Sequence, residues 1–472
     1  MAIESDIFYS APVLAVGTHA RDDVCSNRMA VDKCRQETES MKKKLSLSRR
    51  DFMFKGVVTL GAAVAFPHVV PSTVFGATAP SNRITMGMIG MGLMMSGHLQ
   101  GMLGRNDVQV LAVCDVDRRR RESAKSQVER VYADRATDGA YKGCDAYLEY
   151  EKLCARPDID AVFVVTPDHW HAMCSLAAIK AGKDVYCQKP MTLTIREGRL
   201  MSDACKQYGT VFQVGSQQRS EWAFRKASEI VRNGWIGKVH TIYASLGSFA
   251  PPTTLPAQPI PEGFDYDRWL GPTPWFPYNA ERVKGDYGGG WRRFWEYGSR
   301  KNGDWGAHHF DIIQWALGMD DSGPVKFVPK GWPGHQYQTH YYADGTRVLR
   351  DHPIRGGHMI QFIGTEGEVM VSRGGRLDTR PVELAQAPLL PSEIHLYDSN
   401  DHEGNWIECI RTRRTTICPA EIGHRTATIC HLSGIAERLG RPIHWDPVEE
   451  RILDDPAAER WYDRPRRAPY VL

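Results

Sequence analysis

The sequence predicts an α/β protein built on a doubly wound parallel sheet, followed by a second domain with antiparallel strands. Three observations predict it. From Arg83 onward, the short apolar runs "ITMGMIGMG", "VQVLAVCDV", "AVFVVTP", "DVYCQKP" and "TVFQVGS" alternate with amphipathic stretches of helical length, the order that parallel strands joined by helices produce. The first run closes on the glycine-spaced turn Gly90-Met91-Gly92. Beyond Val325, "GGHMIQFIGTEGEVMVS" alternates residue by residue around a glycine-containing break, which reads as an antiparallel hairpin.

The bulk properties bound what these elements can serve. A chain of 472 residues that is 42% hydrophobic and 24% charged is globular and long enough for two or three domains. The net charge is +3, of which +1 remains once residues 1–79 are set aside. Nothing electrostatic therefore points to nucleic acid or an anionic membrane as partner. The 11 cysteines form no CxxC pair and mostly sit in apolar settings, as reduced core cysteines do.

The upstream segment, 1–79, carries Lys42 to Lys44, the pair Arg49-Arg50, Phe52 and then a weakly apolar run up to Ala65. That run is too short to span a membrane. Together these features resemble a twin-arginine export signal, with Met41 as the expected start and a periplasmic or otherwise exported destination. Lys55 stands one residue later than the usual lysine of such signals. Small residues at Ala77 and Ala79 suit cleavage, although Pro80 opposes it, and an uncleaved anchor is the alternative. After processing no stable membrane span is expected.

The nucleotide reading belongs to 80–218. Gly90 and Gly92 are the first two glycines of a dinucleotide turn, where the backbone must turn tightly and approach a pyrophosphate seated on the next helix N-terminus. Met95 stands where a third glycine is usual. The second apolar run ends in Asp115, whose carboxylate is placed to bind an adenosine ribose and so favours NAD over NADP. The run Arg118 to Arg121 leaves NADP open, since a cationic helix start can hold a 2′-phosphate or simply face solvent.

The stretches "TPDHWHA", "VYCQKPMTLTIREGR", "GDWGAHHFDIIQWALG" and the closing "GHRTATICHLSGIAERLGRPIHWDP" resemble the Gfo/Idh/MocA oxidoreductases, the last stretch suggesting an exported branch. The resemblance implies a Rossmann domain and then a C-terminal α/β domain, 219–440, whose open and mainly antiparallel sheet faces the nicotinamide. A tail, 441–472, follows. It further implies hydride transfer between NAD(P) and a sugar or polyol, and a homo-oligomer, dimer or tetramer. The family's catalytic lysine falls on Lys189 and its DxxxH pair on Asp304 and His308. Thr166, Pro167, His171, Gln188 and Lys189 join Gly90, Gly92 and Asp115 as expected cofactor contacts.

That chemistry makes sense from the residues upward. Oxidising a secondary alcohol requires a base at the hydroxyl as the hydride leaves, and histidine titrates near neutrality unaided. A spacing of four puts Asp304 and His308 on one helix face, where the carboxylate can orient the ring or grip a neighbouring hydroxyl. Lys189 polarises the oxygen, and Pro190 fixes its backbone. Gln188 stands where the family usually has glutamate, and the loss of that charge should lower the lysine's pKa. His308-His309 and His169/His171 lack carboxylate or cysteine partners at metal-site spacing, so polar contacts are expected of them and no metal.

Residues 250–305 are rich in Pro, Gly and Trp. Two readings stay open: aromatic faces stacking on sugar rings, with Arg292, Arg293 and Tyr297 as donors, or a cluster packing on its own domain. Export adds one constraint on function. An exported enzyme must carry its nucleotide inside the fold and regenerate it there, either as a sugar or polyol oxidoreductase or as an NAD-dependent glycosidase or lyase working through a transient keto-sugar.

Overall fold

The computed structural model describes residues 82–133 and 141–472; the stretch expected to be an export signal, and its expected cleavage site, lie outside these. All five apolar runs form strands. They are β1 (Ile84–Ile89), β2 (Val108–Cys114), β4 (Ala161–Val164), β5 (Asp184–Cys187) and β6 (Phe212–Val214), and a three-residue strand β3 (Asp145–Tyr147) joins them. The sheet order is β3-β2-β1-β4-β5-β6, with every pair parallel. The order reverses beside β1, so the crevice above the C-terminal ends of β1 and β4 is where a doubly wound sheet binds its ligand. The strands read as unbroken apolar runs because helices cover both faces. Those helices are α1 (Leu93–Leu103), α2 (Arg118–Val131), α3 (Tyr150–Cys154), α4 (Asp168–Lys180) and α5 (Ile195–Tyr208).

The chain then runs through α6 (Trp222–Arg232) into β7 (Val239–Ala244) and the long Pro/Gly-rich strap, which holds the short helices α7 (Tyr266–Leu270), α8 (Ala280–Val283) and α9 (Arg300–Asp304). The helix α10 (Gly306–Leu317) leads to β8 (Lys326–Val328), β9 (Thr339–Tyr341), β10 (Arg347–Arg350), β11 (Ile360–Gly364), β12 (Glu368–Ser372) and β13 (Arg376–Arg380). After α11 (His402–Thr412) and α12 (Ala420–Leu439) come β14 (Ile443–Asp446), β15 (Arg451–Leu453) and α13 (Pro456–Glu459). The second sheet has nine strands in the order β13-β12-β11-β7-β10-β9-β8-β14-β15. Only β7 and β10 pair in parallel. The alternating stretch is the β11-β12 hairpin, and the 441–472 segment read as a tail supplies the edge pair β14-β15.

Helices α6, α10 and α12 bury one face of this sheet in a single apolar core around Phe224, Phe310, Phe362 and Leu432. The long α12 also crosses α5, where a side chain on Gly198 would lie 2.3 Å from His424; only glycine lets these helices approach so closely. Two late segments return to the first sheet. Trp406 of α11 is fully buried among its residues and donates to the Val211 carbonyl at 3.2 Å, while Tyr470 and Leu472 pack on its other core. The nine cysteines among the described residues are all buried and free. Among those residues no helix is long and apolar enough to cross a membrane.

Candidate active site

Strand order and the β1–α1 turn open a cavity of about 870 Å³, which runs from Asp115 at one end to His308 at the other. Gly90 has φ +88, and a side chain there would strike the Val165 carbonyl at 2.8 Å, so the close turn predicted from sequence is real. The next helix, α1, begins without a side-chain cap, which leaves its first backbone N–H groups facing the cavity as an anion seat. Met95 is fully buried in the core beneath. Asp115 is held in place by the amides of Met91 at 2.7 Å and Asp117 at 2.8 Å, and burial raises its pKa. Each of its oxygens keeps a second lone pair for a ribose hydroxyl.

The arginine run divides. Arg118 pairs with Glu262, Arg119 with Asp117, and Arg121 reaches the Asp115 carbonyl. Arg120 alone of the four lines the cavity.

At the far end the chemistry gathers. The Lys189-Pro190 bond is cis. The Lys189 ammonium donates to the Asp304 carbonyl at 2.7 Å and lies 3.3 Å from its carboxylate. Asp304 also faces Lys301 at 3.2 Å and Arg292 at 3.6 Å. Burial lowers the pKa of Lys189, with Asp304 opposing that and Arg292 adding to it. Burial likewise works to raise Asp304, but Lys189, Arg292 and Lys301 outweigh it and hold the carboxylate ionised. His308 is buried and its pKa is pushed well below the ordinary value by burial, then by Lys189 and Arg373. It is neutral, and its Nδ1 has no partner among the described residues.

The expected pairing of Asp304 with His308 is not what forms. Trp305 separates α9 from α10, and three cations attract the carboxylate more strongly than a neutral imidazole does. Asp304 therefore orients Lys189 and leaves the ring free.

The other predicted residues line the same cavity in different capacities. Thr166 and Pro167 form its wall at the end of β4, and the buried Thr166 hydroxyl has no partner among the described residues. The ring nitrogens of His171 lie 2.8 Å and 2.9 Å from the carbonyls of Pro190 and Thr166, and burial lowers its pKa to about 4. It braces the Lys189-Pro190 turn from behind. His169 similarly serves the carbonyl of Trp269, and among the described residues no group of three or more potential ligands could hold a metal. Gln188 turns to His98 at 2.8 Å and accepts from the Lys189 amide at 3.1 Å, so the lysine's depressed pKa comes from burial rather than from this amide. His98 in turn meets Glu403 of α11 at 2.8 Å.

The tryptophans of the strap fit both readings. Trp269 and Trp291 join Tyr266, Leu270, Tyr278, Phe294 and Tyr297 in a small core of their own, with both tryptophans still reaching the cavity wall. Tyr297 is fully buried and Arg293 bonds the carbonyls of Ala250 and Pro251, so neither is a donor to the cavity. Arg292 is. The strap also grips the Rossmann half: Asp117 bridges Phe264, the Asp265 amide donates to the Val116 carbonyl at 3.1 Å, and the Arg118 amide donates to that of Gly263 at 2.9 Å.

Asp168, Arg300 and Arg373 also line the cavity, and sequence reasoning missed them. Asp168 sits inside the "TPDHWHA" motif, a signal within reach. Burial raises its pKa to about 7, opposed by Arg292 and Lys189. The two arginines carry no local signal at all.

The cavity suits a dinucleotide, with a glycine turn and an uncapped helix at one end and an unpartnered hydroxyl midway. Comparison with known proteins agrees. Residues 84–216 match an oxidoreductase family described by its NAD-binding Rossmann fold, and residues 239–472 match the C-terminal alpha/beta domain of the same family. The chain belongs to the Gfo/Idh/MocA oxidoreductases.

Within this family, the chain is 30% identical to myo-inositol 2-dehydrogenase of Thermotoga maritima over 169 residues, 35% of this chain and 46% of that one. It is 38% identical to 1,5-anhydro-D-fructose reductase of Ensifer adhaerens over 88 residues, 19% of this chain and 26% of the relative. These alignments span less than half of either relative. Two solved structures share the fold across 77% of this oxidoreductase. The aldose-aldose oxidoreductase of Caulobacter crescentus, complexed with glycerol, aligns at 18% identity and TM-score 0.53 over 99% of its chain. The WlbA dehydrogenase of Bordetella pertussis, in complex with NADH and UDP-GlcNAcA, aligns at 14% and 0.51 over 99%.

Proposed function

We propose that this oxidoreductase moves a hydride between a captive nicotinamide and a secondary alcohol of a sugar, glycoside or polyol. The observation that carries the reading is the meeting of Lys189, anchored by Asp304, with the free imidazole of His308, in one cavity continuous with Gly90 and Asp115. NAD, when bound, supplies the hydride acceptor and donor. Lys189 donates to the substrate oxygen and stabilises the charge that develops there. Neutral His308 takes the hydroxyl proton. Asp304 holds the ammonium in position, and Arg292 shares that carboxylate. The buried Asp115, with three of the four neighbouring arginines engaged elsewhere, favours NAD over NADP.

The names of the relatives, an inositol dehydrogenase, an anhydrofructose reductase and an aldose-aldose oxidoreductase, support a polyhydroxylated substrate. The export-type segment at residues 45–66 supports a periplasmic site of action through the twin-arginine route, with the nucleotide carried in the folded protein. The strap's hold over the Asp115 end favours retention of that nucleotide. Retention supports a second reading as well: a glycosidase or lyase that oxidises and re-reduces one substrate in a single turnover.

The test is to purify the protein, denature it and identify the released nucleotide, then analyse products. A ketose supports the oxidoreductase, and a released aglycone with unchanged cofactor redox state supports the second reading. A protein that emerges empty and binds no pyridine nucleotide overturns both.

A further inference from the structure

Six arginine and lysine side chains line the cavity, and five are engaged. Lys189 and Arg292 share Asp304. Arg120 faces Asp117, Arg268 faces Glu149, and Arg373 lies 4.0 Å from Glu221 and over the Trp305 ring. Arg300 is the exception. Among the described residues its guanidinium has no ion pair, ring contact or hydrogen bond, and its Nε is buried without a partner. The residue as a whole is only partly buried and lines the cavity, and its two terminal nitrogens are neither bonded nor shut off, so they are the donors open to a ligand.

The backbone at this residue adds an independent observation. Arg300 has φ +54, a left-handed conformation that glycine adopts freely and a long side chain adopts at a cost of about 1 kcal/mol or more. The fold thus holds an arginine where glycine would be easier. Its position identifies which end of the cavity it serves. Arg300 lies one helical turn before Asp304 in α9, whose carbonyl receives the Lys189 ammonium, and the adjacent Ser299 amide donates to Asp168. The same short helix packs on the Lys189-Pro190 turn, so closely that a side chain on Gly303 would lie 2.9 Å from Pro190. Arg300 therefore belongs to the reacting end, with Lys189, and not to the glycine turn and helix start that suit a pyrophosphate.

We propose that Arg300 recognises an oxyanion on the substrate, so that this enzyme acts on an acidic sugar, a carboxylated one such as a uronate or its glycoside. A guanidinium presents parallel N–H donors that match a carboxylate, and a phosphate ester equally well. The neighbouring acids do not compensate for Arg300: Asp304 is shared among three cations, Glu221 faces Arg373, and Asp168 is half protonated near pH 7. This inference rests on the oxidoreductase reading for where the substrate lies.

The test is isothermal titration of the nucleotide-loaded protein with matched trios: glucose, glucuronate and glucose 6-phosphate, and the galactose series. One charge-assisted contact in a sheltered site is worth about tenfold or more in affinity. At least one uronate is expected to bind about tenfold tighter than its neutral parent. A preference for the phosphate ester over the uronate keeps the oxyanion and reassigns its source.

Arg300→Gly suits the left-handed backbone, so it is expected to melt no lower than the parent and to lose the preference, while Arg300→Lys keeps part of it. The proposal is overturned if no acidic sugar outbinds its neutral parent, if Arg300→Gly retains the preference, or if that variant sheds its nucleotide, which would assign the guanidinium to the cofactor. Nucleotide absorbance separates the two readings. Acidic sugars that bind tightly yet never change it leave the oxyanion site standing and sink hydride transfer; a neutral sugar that changes it does the reverse.

Discussion

The ammonium of Lys189 and the carboxylate of Asp304 lie 3.3 Å apart, and the same ammonium donates to the Asp304 carbonyl at 2.7 Å. This side chain thus ties the Rossmann half to the second domain at the Asp304 end of the cavity. Burial lowers the lysine's pKa and Asp304 works against it. Replacing Asp304 with Asn removes the opposing charge, so Lys189 should lose its proton at lower pH. The alkaline limb of kcat/KM is expected to move down in pH. His308→Ala should cost about 10² to 10⁴ in turnover with the nucleotide still bound. An unmoved limb would take Lys189 out of the proton chemistry of the reaction.

A related substitution separates contact from mere proximity. Gln188 points at His98 and at the Lys189 amide rather than at its ammonium. Gln188→Glu should therefore shift the alkaline limb upward, since a carboxylate favours the charged lysine, but by less than Asp304→Asn shifts it downward. Parallel pH profiles of the two variants decide the point. If Gln188→Glu gives the larger displacement, the amide governs the lysine more than its geometry implies.

How much of this site is legible in the sequence depends on what each residue signals locally. The five apolar strands announce themselves because a sheet covered on both faces needs unbroken apolar runs. β3 does not, since Asp145, Ala146 and Tyr147 form a short edge strand with little burial. Lys189, Asp304 and His308 stand out because they sit in motifs, yet their pairing does not. Spacing of four suggests that Asp304 serves His308, whereas the partners that win the carboxylate come from 115 residues earlier and from the strap. Arg300 is illegible for a different reason. Glycine advertises a positive φ, and an arginine forced into one advertises nothing.

Asp168 gives a prediction about stability. Burial holds its folded pKa near 7, against 3.8 for the ordinary group. Between those values the folded protein keeps a proton that the unfolded chain has released, so stability falls as pH rises through this window and the loss is complete above about pH 7. The full shift corresponds to a penalty on the order of 4 kcal/mol. Asp168→Asn removes the titration. Its melting temperature should match the parent near pH 4 and exceed it increasingly up to about pH 8. A constant difference across that range would show that the carboxyl does not titrate as its burial implies.

The last prediction concerns the strap. Phe264 pairs with Asp117 beside the predicted ribose-binding carboxylate, and its ring lies 6.1 Å from Tyr266 and 5.8 Å from Tyr278 in the strap's small core. These contacts join the strap to the residues that follow Asp115 in the chain, so release of a dinucleotide held by Asp115 is expected to require that they open. Truncating a partly buried aromatic ring weakens such packing by about 1 to 3 kcal/mol. Phe264→Ala should then speed nucleotide release about tenfold or more, while the rate with saturating added NAD changes little. Trp275, which is 62% exposed on the same strap, provides the contrast: Trp275→Ala should leave release unchanged. Nucleotide remaining after repeated gel filtration measures both. If Phe264→Ala holds its nucleotide as firmly as the parent, then the affinity of the cleft itself, and not the strap, is what would keep the cofactor captive.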